Sequence, residues 1–180
     1  MITTPTLILD ERKCKENITN MSERAKRFGL ELRPHFKTPQ SLEVGRWFKE
    51  AGVTKITVSS FGMAKYFASE WDDITVAFPV NILEIETINE LAGKVNLSIL
   101  IESEDSLKFL NQNLKHKVNF YIKIDTGSNR AGLKHYDIEG VENLLSIAES
   151  SDKFNFIGFL SHAGHTYNCL LYTSPSPRDA

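Results

Sequence analysis

The sequence predicts an α/β fold in which parallel strands alternate with helices. Short segments that are apolar throughout, or that alternate apolar with polar residues, recur at spacings of roughly 20 to 40 residues. Amphipathic segments with apolar residues three and four positions apart fill the intervals between them. This order is typical of βαβ units, and we expect a partial (β/α)8 barrel of about six units. A doubly wound parallel sheet is the alternative fold.

Six strands are expected from residue 32 onward, each rich in β-branched or aromatic residues and bounded by turn residues. They are Leu32–Lys37, Lys55–Ser59, Ile74–Phe78, Leu97–Ile101, Val118–Ile124 and Phe156–Leu160. A short strand at Thr6–Leu9 is expected to precede them. No glycine-rich phosphate-binding motif follows these strands, so a dinucleotide-binding or P-loop fold has no support in the sequence.

Helices are predicted between the strands from their end signals and their apolar stripes. Glycines at 29 and 52 are expected to end the first two helices. In the second helix, Pro39 would occupy the first helical position, directly after its N-cap. The apolar stripe of the first helix is Ile18, Met21, Ala25 and Phe28. The expected N-caps are Asp10, Thr38, Asn81, Ser103 and Asp137.

The composition is that of an ordinary globular domain. The chain has 180 residues, of which 41% are hydrophobic and 24% charged, enough for one domain with a core. A net charge of −2 favours neither a nucleic acid nor a membrane surface as partner. The N-terminus does not resemble a signal peptide, and Cys14 and Cys169 form no metal or disulfide pattern. We therefore expect a cytoplasmic protein.

The segment Leu32–Lys37 carries the first candidate site. Its alternation places Arg33, His35 and Lys37 on one face, at the C-terminal end of the strand. Parallel α/β folds place their chemistry at such strand ends. An edge strand with one solvated face is the alternative, and Pro34 favours it because proline cannot donate to a sheet ladder.

Three further strand ends carry polar residues, at 59–62, 123–132 and 161–167. Each has a structural alternative: Lys123 and Asp125 as an ion pair, Arg130 as a surface charge, His162 as a cap of the sheet. Together, however, a lysine, an arginine and a histidine at the ends of separate strands indicate a site. A lysine in low dielectric beside other cations becomes an amine nucleophile, which suits a Schiff base with an aldehyde cofactor such as pyridoxal 5′-phosphate.

Three of these segments together resemble one enzyme family. The run from Arg33 to Thr38, Arg-Pro-His-Phe-Lys-Thr, is similar to the pyridoxal-lysine motif of the D-threonine aldolase and eukaryotic-type D-serine dehydratase family. That family belongs to the alanine-racemase-like, fold type III enzymes that use pyridoxal 5′-phosphate. Lys-Ile-Asp-Thr-Gly-x-x-Arg-x-Gly at 123–132 and His-Ala-Gly-His-Thr-Tyr at 162–167 resemble its later strand-end motifs. The resemblance extends to about residue 168.

The resemblance implies roles for five residues. Lys37 would be the catalytic residue and would bind pyridoxal 5′-phosphate covalently. Arg130 would donate to the phenolic oxygen of the cofactor, His162 would lie against its ring, and Tyr167 would lie near it. His35, on the face of Lys37, is expected to tune that lysine or to contact the substrate.

The implied activity is that of a lyase acting on a small D-3-hydroxyamino acid. Cleavage of the D-threonine aldolase type, to glycine and an aldehyde, is the first expectation, and D-serine dehydration is the alternative. After these two, the further alternatives are an amino-acid racemase and a non-catalytic protein that carries pyridoxal phosphate. The chain has Pro39-Gln40 where many members have His-Lys, and Lys123 where many aldolases have glutamate. Both differences bear on the substrate more than on the cofactor.

The resemblance also bears on the extent of the chain. The barrel is expected to occupy residues 1–168 and to be incomplete. A C-terminal β domain, with the ligands of a divalent metal, and the phosphate-binding loops are expected in a longer parent, itself a monomer or homodimer. Residues 169–180 resemble a translated sequencing adapter, and their Ser-Pro-Ser-Pro run suits neither a helix nor a central strand.

Overall fold

The structure is a computed structural model that describes residues 8–163. Its helices are α1 (Glu11–Arg27), α2 (Leu42–Glu50), α3 (Phe61–Phe67), α4 (Ile85–Ala92), α5 (Glu104–Asn113) and α6 (Ile138–Glu149), and a 3₁₀ turn spans Ile82–Glu84. Its strands are β1 (Ile56–Val58), β2 (Asp73–Pro79), β3 (Asn96–Ile101), β4 (Val118–Asp125), β5 (Leu133–Lys134) and β6 (Phe154–Ser161). Tyr167 and residues 169–180 lie outside the described residues.

The predicted α/β class is confirmed, because the described strands form one parallel sheet with helices between them. The sheet runs β1-β2-β3-β4, and β6 pairs with the other side of β4. The two-residue strand β5, which we did not predict, pairs with the C-terminal end of β4 at Ile124 and Asp125. Since all strands are parallel, their C-terminal ends meet at one edge of the sheet.

The first predicted strand is reduced to one bridge. Only His35 pairs with the sheet, opposite Thr57 of β1. The backbone N–H of Phe36 donates to the Thr57 carbonyl at 2.7 Å, and Thr57 donates to the Pro34 carbonyl at 2.8 Å. The ladder cannot continue toward the N-terminus through Pro34, which lacks an N–H, and it ends toward the C-terminus where a turn begins at Phe36.

The predicted start of the second helix at Thr38 and Pro39 is wrong. These residues form a turn, closed by the N–H of Gln40 donating to the carbonyl of Phe36 at 3.1 Å. Helix α2 begins at residue 42 with Ser41 as its N-cap. Gln40 has φ +43°, outside the helical region, so the helix cannot run through it. The other predicted N-caps accept the expected bonds: Asp10, Asn81, Ser103 and Asp137.

The core lies between the sheet and the helices. The strand side chains that face the helices are almost fully buried there: Ile56, Val58, Ile74, Val76, Leu97, Ile99, Ile101, Phe120 and Ile122. Of the predicted α1 stripe, Ile18 is buried but Met21 and Phe28 are exposed. Ile8 and Leu9, expected in a first strand, are in no strand. Within residues 8–163, no helix is both long and apolar enough to cross a membrane.

Phe36 anchors the segment that carries Lys37. Its side chain has no solvent exposure, and its ring centroid lies 5.0 to 5.4 Å from those of Phe48, Phe67 and Trp71. Aromatic pairs at such distances and tilts add to the hydrophobic effect. The alternation predicted for this segment therefore holds: Phe36 points into the core, and its neighbours His35 and Lys37 point to the opposite side.

Candidate active site

A cavity of about 640 Å³ opens at the C-terminal ends of the strands. Lys37, His35, Arg130 and His162, which the sequence predicts as site residues from three separate segments, all line it. The fifth, Tyr167, lies outside the described residues. Among residues 8–163, the lining contains no aspartate or glutamate; its basic side chains are Arg33, His35, Lys37, Lys123, Arg130 and His162. The cavity is therefore suited to an anionic ligand.

The backbone of Lys37 is held on both sides by side chains. The N–H of Lys37 donates to Nδ1 of His35 at 3.2 Å, and the carbonyl of Lys37 accepts from Nε2 of Gln40 at 2.8 Å. The residue is exposed and lies directly after the buried ring of Phe36. Lys37 thus lines the cavity from a turn that is held by the core and by two side chains.

His35 is held as a neutral imidazole. Partial burial, and after it the charge of Lys37, lower the pKa of His35 below its ordinary value. Since Nδ1 accepts a hydrogen bond, we assign the proton of the neutral ring to Nε2. The ring can therefore donate from Nε2 to a group in the cavity.

Arg33 also lines the cavity, but its guanidinium is already bound within the protein. Its Nη1 donates to Oδ1 of Asp73 at 2.7 Å and to the carbonyl of Ile56 at 3.1 Å. Asp73 begins a chain of side-chain hydrogen bonds that crosses the opposite end of the sheet, through Asn96, Asn119 and Asn155. The sequence places Arg33 on the correct face, but the structure assigns it to holding the sheet together.

Lys123 projects from β4 into the cavity and is 8% exposed. Burial lowers the pKa of Lys123, and nearby Arg130 adds to that effect, while Glu102 and Asp125 act in the opposite direction. Among the described residues, its ammonium has no hydrogen bond or ion pair. The alternative in which Lys123 pairs with Asp125 is wrong, because that carboxylate pairs with Lys134.

The loop that carries Arg130, residues 126–132, is organised by Asp125. The carboxylate accepts the backbone N–H of Gly127 at 3.0 Å and that of Asn129 at 3.1 Å, and Lys134 donates to it at 2.8 Å. Lys134, and after it the two backbone donors, lower the pKa of Asp125 to about 2. The carboxylate is therefore charged at neutral pH.

Gly132 allows this loop to pack against β4. A Cβ at this position would lie 2.7 Å from the backbone oxygen of Lys123 and 2.8 Å from its Cγ. Its φ of +109° also excludes ordinary side chains. The sequence shows the glycine but not its contact with Lys123.

Sequence reasoning missed two residues at the site. In the sequence, Gln40 stands out only as a difference from the family motif, and Lys134 lies outside the candidate segments. No local signal identifies Lys134, since its role comes from β5 pairing with the end of β4. Within residues 8–163, no group of three or more histidine, cysteine, aspartate or glutamate side chains could hold a metal ion.

Comparisons with known proteins identify the family of the chain. Residues 9–174 match the family model described as alanine racemase, N-terminal domain. The chain is 30% identical to the D-serine dehydratase of Dictyostelium discoideum, over 96% of this chain and 47% of that protein. It spans about half the length of the curated relatives it matches.

Solved structures show the same fold. The D-threo-3-hydroxyaspartate dehydratase of Delftia sp. HT23 superposes with a TM-score of 0.84 at 26% identity, over 93% of this chain and 45% of that one. The D-threonine aldolase of Filomicrobium marinum gives the same TM-score at 20% identity, over 92% and 46%, and shows the fold alone. With the family model matching most of its length, the chain belongs to the family of the alanine racemase N-terminal domain.

Proposed function

We propose that the protein, at its full natural length, is a pyridoxal 5′-phosphate-dependent lyase acting on D-3-hydroxyamino acids. The observation that carries this proposal is that Lys37 lines a cavity whose described charged lining groups are all basic. The volume of about 640 Å³ is that of a typical small-molecule site. Membership of the alanine racemase N-terminal domain family supports the same reading.

The described residues fit this cofactor, which has an aldehyde and several anionic oxygens. Lys37 would hold it covalently, Arg130 would donate to its phenolic oxygen, and His162 would lie against its ring. When bound, the cofactor supplies an electron sink for the bond that breaks at Cα of the substrate. Charge-assisted bonds from arginine suit anionic oxygens better than neutral donors do.

The other residues of the cavity position these groups. His35 holds the backbone of Lys37 through Nδ1 and presents its Nε2 proton to the cavity. Lys123, buried and without a described partner, offers a second cation for an anionic oxygen of the cofactor or for the substrate carboxylate. These basic groups would together favour binding of the negatively charged cofactor and of the substrate carboxylate.

Two reactions at the same site need to be distinguished. Cleavage between Cα and Cβ yields glycine and an aldehyde, whereas loss of the β-hydroxyl yields a 2-oxo acid and ammonia. The names of the curated relatives favour the second, because they are dehydratases of D-serine and of D-threo-3-hydroxyaspartate. The likeness to the aldolase rests on fold alone.

The test is to incubate the protein, at its full natural length, with the D- and L-isomers of serine and threonine and to measure both product pairs. Lys37→Ala should abolish turnover and covalent attachment of the cofactor. Lys115→Ala, which removes an exposed lysine paired with Glu86, is the matched control and should retain both. Product from L-isomers only, or turnover by Lys37→Ala, would contradict the proposal.

A further inference from the structure

We propose that Lys134, which lies outside the cavity, is a positioning residue: it holds the Asp125 carboxylate away from the cavity and so leaves Arg130 and Lys123 available to an anionic ligand. The inference rests on the proposed function, since those two cations would meet the cofactor and the substrate. The inference gives a role in ligand binding to a residue that does not itself line the cavity.

The geometry of the pair carries the first step. Strand β5 places Lys134 directly beside Asp125 in the parallel register. The side chain of Asp125 is only 3% exposed, and that of Lys134 is 45% exposed. The Lys134 ammonium also donates to Oδ1 of Asn129 at 2.6 Å, so one cation holds both the carboxylate and the middle of the loop.

The second step is the charge balance at the strand end. A buried carboxylate that loses its cation must find another, because an unpaired buried charge is costly. Asp125 and Arg130 are both close enough to Lys123 to act on its charge. Without Lys134, Asp125 would therefore turn to Arg130 or Lys123 and compete with the ligand for them.

A purely structural role for Lys134 makes a different prediction from this one. If the ion pair only stabilised the loop, Asp125→Asn alone, which also breaks the pair, should weaken cofactor binding about as much as the loss of Lys134 does. If Lys134 acts by occupying Asp125, Asp125→Asn alone should bind about as tightly as the wild type, and adding it to the Lys134 variant should restore the cations. A double-mutant cycle distinguishes the two cases. Asp125→Asn suits the cycle, since its amide oxygen can still accept from Gly127 and Asn129.

The experiment titrates pyridoxal 5′-phosphate into the apo form of the protein at its full natural length. Lys134→Met should weaken binding by about tenfold, because a carboxylate now competes for a cation. Asp125→Asn with Lys134→Met should recover most of that loss, and Lys134→Arg should bind like the wild type. Lys94→Met, which removes a surface lysine paired with Glu90, is the control of equal charge.

The inference is overturned if Lys134→Met binds as tightly as the wild type, if the double variant stays as weak as Lys134→Met, or if Asp125→Asn alone binds as weakly as Lys134→Met. Should Lys134→Met not fold, Lys134→Gln replaces it in the cycle. If the wild type takes up no cofactor on Lys37, the proposed function fails. The same variants are then titrated with inorganic phosphate. The inference is supported if their phosphate affinities follow the order expected for the cofactor. It is overturned if all variants bind phosphate equally or if none of them binds it.

Discussion

Nδ1 of His35 accepts the backbone N–H of Lys37 at 3.2 Å, so the residue that precedes the buried Phe36 orients the residue that follows it. This contact joins the two predicted site residues of the first segment through the backbone rather than through the amine. It requires an unprotonated Nδ1. The position of Lys37 is therefore linked to the protonation of His35.

This link predicts a pH dependence of stability. Burial and the charge of Lys37 lower the pKa of His35 in the folded state below its ordinary value of 6.5. A group with a depressed folded pKa stabilises the fold above its unfolded pKa, and that contribution is lost as the pH falls through the folded value. We expect the free energy of unfolding, measured in urea, to fall below pH 6.5.

A variant separates the titration from the hydrogen bond. His35→Asn can accept the N–H two residues ahead, as in an Asx turn, but it does not titrate. Its unfolding free energy should therefore change less with pH than that of the wild type. His135→Asn, an exposed histidine outside the cavity, is the control. An unchanged slope in His35→Asn would contradict the link.

The second prediction concerns Gln40, the other residue whose side chain contacts the backbone of Lys37. Gln40 has φ +43°, and its amide donates to the Lys37 carbonyl at 2.8 Å. Gln40→Gly and Gln40→Ala both lose that bond, but only alanine keeps the cost of a left-handed backbone. We expect the glycine variant to be about 1 kcal/mol more stable than the alanine variant. Equal stabilities in denaturant unfolding would show that the turn relaxes.

Local sequence signals predicted which side chains face the cavity in part of the chain. The alternation of the first segment placed Phe36 in the core and His35 and Lys37 at the cavity, because a two-residue period survives even where only one bridge forms. The strand-end rule placed Lys123 and Arg130 at the same cavity. Both inferences need only the chain direction and the parallel sheet.

Long-range pairing could not be inferred in this way. The partner of Arg33 is Asp73, 40 residues along the chain, and nothing in either segment identifies it. Thr38 and Ser41 are both suitable N-caps for the second helix. The bond from the N–H of Gln40 to the carbonyl of Phe36 holds Thr38 and Pro39 in a turn, so that Ser41 caps the helix. In this segment a local turn overrode the N-cap propensity of Thr38.

The third prediction tests the packing of the Arg130 loop on β4. Gly132→Ala places a Cβ 2.7 Å from the Lys123 carbonyl oxygen at φ +109°, so it suffers a clash as well as backbone strain. We expect a loss of about 3 kcal/mol in unfolding free energy. Gly127→Ala has a similar φ of +111° but nothing within 4 Å, and it should lose only the strain. Equal losses would mean that the loop moves away from Lys123.

The fourth prediction concerns the aromatic anchor. Phe36→Ala removes a fully buried ring that contacts Phe48, Phe67 and Trp71, and we expect a loss of about 4 kcal/mol. Phe36→Leu keeps most of the volume and should lose less than half as much. Because Lys37 follows directly, cofactor attachment should weaken in the same order. Attachment that is unchanged in Phe36→Ala would show that the turn holds Lys37 without the anchor.

The last prediction concerns the outer strand of the described sheet. Among residues 8–163, β6 pairs only with β4, and Phe159 on it is 57% exposed. An unpaired strand edge with exposed apolar side chains favours pairing with another chain. We expect the 180-residue chain to self-associate in sedimentation velocity and Phe159→Lys to reduce this, since a charge on an edge strand opposes such pairing. Tyr136→Lys changes a side chain that is 70% exposed but lies outside the strands, so it should have little effect. If both variants reduce association equally, general hydrophobicity and not the edge of β6 is responsible.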